Sequence, residues 1–268
     1  MSAVDPVDPA LGVYLATVAG GLARVLGPAL VGVYLHGSAV LGGWSAERSD
    51  VDLLGVVARP LAERAKRVLS ARLNHPSLAC PSPAGLELSL VTVAVAGDPP
   101  RRPPFELQVT TGSSPQTHLG GAAATDPDLL LYFAVCRRSG LAVAGPDPVA
   151  VFTEPPRDWL LERASAEVRW AGRNGSFADR VLTGCRAWRY LEDDVLGSKV
   201  DGGRWARLRL ADASGEAAGP EPPGSLALVD AAVADQLGQA PMPDATADLA
   251  AAGRFLAAVL ARFHQAGT

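Results

Sequence analysis

Ser49-Asp50-Val51-Asp52 runs straight into the apolar Leu53-Leu54-Gly55-Val56-Val57, and few folds accept such a junction. Residues i and i+2 of a strand project from one face, so Asp50 and Asp52 stand side by side at the mouth of a buried strand. Adjacent carboxylates repel each other and resist losing water. A divalent cation resolves that conflict. All-oxygen donors suit a hard ion such as magnesium, which usually arrives with phosphate oxygens and waters. Upstream, Leu30-Val-Gly-Val-Tyr-Leu35 reads as a strand that His36-Gly37-Ser38-Ala39 breaks. Glycine there lets backbone approach a phosphate closely. A helix beginning at Gly37 would aim N–H groups at the anion, with the Ser38 hydroxyl as a further donor. Together the two segments predict a site for a magnesium-bound nucleoside triphosphate.

A third acid fits this plan. In Leu86-Glu87-Leu88-Ser89-Leu90 the leucines alternate with polar residues. The leucines take a core face, and Glu87 takes the other, where a neighbouring strand can bring it beside Asp50 and Asp52. A carboxylate near the metal but free of it can take the proton from an acceptor hydroxyl.

The rest of the chain divides at Pro155-Pro156. Before it, Pro9–Leu26 has helical apolar spacing and is stopped by Gly27-Pro28. Leu61–Leu73 reads as a helix with Arg and Lys on its wet face. Strands are expected at 51–57, 86–95 and 105–109. Thr125-Asp126-Pro127 resembles a helix start with Thr125 as cap, continuing through 129–138. A short strand follows at 141–144. Beyond Pro156 the pattern is helical throughout: 159–170, 177–196, 199–210, 226–237 and 245–263, with a Gly- and Pro-rich loop over 216–224. The fold class is therefore α+β: an α/β domain with a mixed sheet over 1–156, then a helical bundle over 157–268.

Composition narrows the partners. With 48% hydrophobic and 19% charged residues, the 268-residue chain has material for a real core. Its net charge of −4 disfavours nucleic acid, whose backbone is gripped by Lys and Arg clusters, but is compatible with a small cationic substrate, which an acidic site would favour. The three cysteines, Cys80, Cys136 and Cys185, are widely spaced without a CxxC, as expected of reduced thiols in a cytoplasmic protein. Met1–Pro9 does not read as a signal peptide, and no apolar run reaches the ~20 residues of a membrane span. No membrane partner is expected, and the oligomeric expectation is a monomer or weak dimer.

The order strand, Gly-Ser, Ser-Asp-x-Asp entering a strand, then an acid on a later strand resembles the polymerase-beta-like nucleotidyltransferases. His36–Gly43, Ser49–Leu54, Phe105-Glu-Leu-Gln108, Gly145-Pro146, Val181-Leu-Thr-Gly-Cys-Arg-Ala-Trp188, Ser198-Lys199 and Trp205-Ala206 further resemble the streptomycin/spectinomycin adenylyltransferases, in that family's order. The resemblance implies a two-domain enzyme with its site in the interdomain cleft, using ATP with magnesium and an aminocyclitol or aminoglycoside. It assigns the metal to Asp50 and Asp52, the base to Glu87, and nucleotide contacts to Gly37, Ser38, Ser49, Arg186 and Lys199. In dual-specificity members a tryptophan and an acid are linked to streptomycin; here those positions are Gly112 and Ser176, with Asp179 one helical turn from the latter. Spectinomycin is therefore the expected acceptor among antibiotics. The alternatives are a non-antibiotic acceptor, a protein AMP-transferase of the toxin-antitoxin kind, and a non-catalytic nucleotide-binding module. The large helical half and the intact acid set speak against the last two.

Overall fold

The structure, a computed structural model, describes residues 8–121, 123–212, 224–239 and 245–267. The Met1–Val7 part of the N-terminal reading and most of the loop expected over 216–224 lie outside them. Two compact units are present, Met1–Pro155 and Pro156–Thr268.

The first unit is built on a mixed six-stranded sheet. Its strands are β1 (Leu30–Leu35), β2 (Val51–Val57), β3 (Leu86–Thr92), β4 (Leu107–Thr110), β5 (Gln116–Leu119) and β6 (Leu141–Ala144), in the order β5-β4-β3-β2-β1-β6. Only β2 and β3 run parallel; the other neighbours are antiparallel. Alternation sorts the apolar side chains to two faces. Val33, Leu35, Val51, Leu53, Leu86, Leu88, Leu90, Leu107 and Val109 pack under α1 (Pro9–Leu26) and α2 (Glu63–Leu73). Tyr34, Leu54, Val56 and Val91 pack against α3 (Val93–Gly97), α4 (Leu129–Ser139) and α5 (Pro148–Val151).

Several expectations need correction. Pro9–Ala29 is long and apolar enough to cross a membrane by length and composition, contrary to the sequence reading. It is amphipathic all the same, and Leu11, Tyr14, Leu15, Val18 and Leu22 lie in the sheet's core. The third strand stops at Thr92, whose hydroxyl accepts from the Val95 N–H and caps α3 in place of the last expected strand residues. The helix after Thr125 begins at Leu129: the Thr125 backbone bridges Pro104, while Asp126 accepts from the Asp128 N–H. Lys66 is not on a wet face. Its ammonium is buried against Glu106 at 2.7 Å and donates to the Gly120 carbonyl, which together compensate its lost hydration.

The second unit is helical among its described residues: α6 (Arg157–Asn174), α7 (Phe177–Asp193), α8 (Lys199–Asp212), α9 (Ser225–Gln236) and α10 (Ala245–Gln265). Helix α7 is central and packs on the other four. Its wide apolar stripe of Phe177, Val181, Leu182, Cys185 and Trp188 is buried among them. Ser176 caps it reciprocally with Asp179, each side chain meeting the other's backbone N–H.

Candidate active site

Parallel pairing of β2 with β3 sets Asp52 directly opposite Glu87. Both side chains leave the sheet on the α4 face, because the leucines between them alternate to the α1/α2 face. Asp50 lies just before β2, and carboxylate oxygens of Asp50, Asp52 and Glu87 come within 4.8 Å of one another, each residue partly buried. At ~4 Å two like charges near a protein surface repel by about 4 kcal/mol. Asp50 and Asp52, hard oxygen donors held this close, fit a divalent cation and an oxygen-rich ligand, with Glu87 beside them.

Gly37 makes the approach possible. Its φ is +63°, and a Cβ added there would sit 1.8 Å from Asp52 Oδ2. The Asp52 carbonyl accepts from the His36 N–H at 3.0 Å, which pins the end of β1 to β2. Gly37→Ala is therefore expected to cost about 1–2 kcal/mol of left-handed strain and to displace the Asp52 carboxylate, removing most turnover. Thermal melting and an activity assay check it; wild-type activity would show that Asp52 needs no such approach. The segment Gly37–Ala39 is a single 3-10 turn and not the expected helix start. Its contribution is thus local N–H groups and the Ser38 hydroxyl, which is buried with no hydrogen-bond partner among the described residues. Ser49 is occupied locally, accepting from the Ser45 N–H.

Glu87 is held above the ordinary carboxylate range by burial first and by the Asp50 charge second, while a hydrogen bond from Tyr132 opposes the shift. That bond, Tyr132 Oη to Glu87 Oε1 at 3.2 Å, was not expected from the sequence. The only available signal was a phenol among the apolar residues of α4, since a buried tyrosine hydroxyl needs a partner. Next to it, Gln108 donates to Asp126 at 2.6 Å and to Ser89 at 3.3 Å. Burial lowers the His36 pKa to about 3, so its ring is neutral.

Other sequence candidates lie elsewhere. Gly112 has φ +90°, and a Cβ there would sit 2.3 Å from the Ala84 carbonyl, so the turn admits no side chain. In the second unit Arg186 pairs with Glu167 at 2.8 Å and Lys199 with Asp179 at 2.7 Å. Asp179 is drawn below the usual range: burial would raise it, but the Lys199 ammonium and the Ser176 hydrogen bonds prevail.

A mixed sheet carrying these acids on adjoining strands beside a Gly-Ser turn defines a nucleotidyltransferase. No protein-family model matches the chain. The chain is 30% identical over 208 residues to the aminoglycoside (3'')(9) adenylyltransferase of Klebsiella pneumoniae, covering 73% of this chain and 78% of that one. It is 27% identical over 190 residues to the spectinomycin 9-adenylyltransferase of Staphylococcus aureus, covering 68% and 72%. The fold matches a spectinomycin adenyltransferase from an Enterococcus, solved with ATP and spectinomycin, at a TM-score of 0.71 and 17% identity, over 94% of this chain and 98% of that one. The protein belongs to the aminoglycoside adenylyltransferase family.

Proposed function

We propose that the protein transfers AMP from ATP to a hydroxyl of an aminocyclitol antibiotic, spectinomycin in preference to streptomycin. The observation that carries this reading is the meeting of Asp50, Asp52 and Glu87 on two parallel strands. Asp50 and Asp52 would hold magnesium with the triphosphate. Bound there, the ion neutralises phosphate charge and favours departure of pyrophosphate. Ser38, with an unanswered hydroxyl, donates to a phosphate oxygen. Glu87 takes the acceptor's proton through Oε2, which has no hydrogen-bond partner among the described residues. The acceptor oxygen then bonds to the α-phosphorus as the bond to the β-phosphate bridging oxygen breaks. The phosphate-contacting role of Arg186 and Lys199 is what the family resemblance implies; each is ion-paired within the second unit, with Glu167 and Asp179. Buried Cys136 and Cys185 and part-buried Cys80 suit a reducing cytoplasm.

The preference rests on what the chain cannot offer. Streptomycin carries two guanidinium groups, which need a stacking ring or an acid to leave water. Gly112 has no room for a ring, and Ser176 is an uncharged cap bonded to Asp179. Trp44 packs against the sheet core, and Trp170 is 58% exposed on α6. The smaller diamine asks for less, and Glu87 or Asp179 can attract it. We expect AMP transfer to spectinomycin and little to streptomycin when each is incubated with Mg-ATP. Comparable rates on both would overturn the preference, and transfer to neither would move the acceptor outside these antibiotics.

A further inference from the structure

Glu87 is a base only if its carboxylate is held in one orientation, with one oxygen turned to the acceptor. The side chain is otherwise free to rotate about its terminal torsion, and repulsion from Asp50 and Asp52 pushes it away from the place where it is useful. The described residues supply one hydrogen bond to it. Tyr132, from the first turn of α4, donates to Oε1 at 3.2 Å and leaves Oε2 without a partner.

The phenol is itself held. Leu129 and Phe133, on the same helix, are buried in the core between α4 and the sheet, which fixes the helix. The His36 ring lies against the Tyr132 ring with centroids 4.8 Å apart and planes inclined by 35°. His36 is 3% exposed and sits at the end of β1, immediately before the Gly37 turn that receives Asp52. One short segment therefore sets both the metal-facing carboxylate, through Gly37, and the ring that orients the base, through His36.

We infer that Tyr132 is a positioning residue for this reaction: its hydroxyl fixes Glu87 by one oxygen so that the other faces the acceptor hydroxyl. The inference rests on Glu87 being the base. Tyr132 does not touch the reacting atoms and takes no proton in the step. Its effect is to hold the carboxylate in the reactive orientation more of the time, which raises turnover without tightening either substrate.

The test is Tyr132→Phe, which deletes the hydroxyl and keeps the ring against His36. Glu87→Gln and the double variant are measured beside it. The expected result is a fall in kcat of about ten- to a hundredfold, with KM for ATP and for the acceptor within twofold and the melting temperature within a few degrees of wild type. In the Glu87→Gln background the same change should add nothing, because no base remains to be oriented. A kcat within twofold of wild type overturns the inference, as does an added loss in the double variant. A collapse of thermal stability returns the hydroxyl to a packing role and overturns it too. If Glu87→Gln itself keeps wild-type turnover, the reading of Glu87 as the base has failed, and this inference with it. If Glu87→Gln is dead and Tyr132→Phe is unimpaired, only the positioning role has failed.

Discussion

Asp52→Asn is expected to reduce turnover by about a thousandfold or more while leaving the protein folded. The exchange is isosteric, and the bond from the His36 N–H to the Asp52 backbone carbonyl, which pins β1 to β2, is retained in the variant. What is lost is half the charge offered by the pair at the mouth of β2. A metal–phosphate site that forfeits about 4 kcal/mol of transition-state stabilisation slows by roughly three powers of ten. Circular dichroism, melting and turnover of the purified variant check the expectation. A variant retaining a tenth of wild-type activity would mean that Asp52 does not hold the ion.

Glu87→Gln is expected to cost about 10²- to 10⁴-fold in turnover, the usual contribution of a general base. It should also do something unusual for a partly buried substitution and raise the melting temperature of the metal-free protein at neutral pH. Burial and the Asp50 charge hold the Glu87 pKa above its ordinary 4.5 in the folded state. The folded protein therefore favours the neutral acid. That stability is fully present below the unfolded pKa and is lost as pH rises through the folded one. Above the unfolded pKa this upward shift is a burden that glutamine removes, with each kcal/mol appearing as roughly 2–4 °C in a chain this size. The difference should shrink as the pH is lowered, and magnesium should stabilise wild type more than the variant. A variant that melts lower than wild type at neutral pH would show that Glu87 is not under electrostatic strain. Sites that act on charge commonly give up stability in this way.

Features governed by local pattern were legible before the structure. Helix α1 occupies the residues its apolar spacing marks out, and β2 begins where the acids meet the apolar run. Glu87 faces away from Leu86, Leu88 and Leu90 because strand period is rigidly two. Features set by long-range pairing were not legible. Strand β5 is exposed along its whole length and has Leu119 as its one apolar residue, so no alternation announced it. The ion pair of Lys66 with Glu106 joins α2 to the start of β4, and no spacing rule connects them. The hydroxyl of Tyr132 meets a carboxylate 45 residues away in sequence, and nothing local to α4 distinguishes that ring from its apolar neighbours. Val93-Ala-Val95 continued a strand pattern convincingly until one side-chain hydrogen bond at Thr92 turned it into a helix. The three-residue turn Gly37–Ala39 and a helix start share one local signal, because glycine followed by serine suits either.

Attack at the α-phosphorus separates AMP transfer from phosphoryl transfer. Two samples of ATP, one radiolabelled at the α-phosphate and one at the γ-phosphate, distinguish the outcomes when each is incubated with magnesium, the protein and spectinomycin. The α-label is expected to move to spectinomycin in step with pyrophosphate release, and the γ-label to be found only in pyrophosphate. The γ-label on spectinomycin with ADP as product, or no transfer of either label to any aminocyclitol, would contradict it.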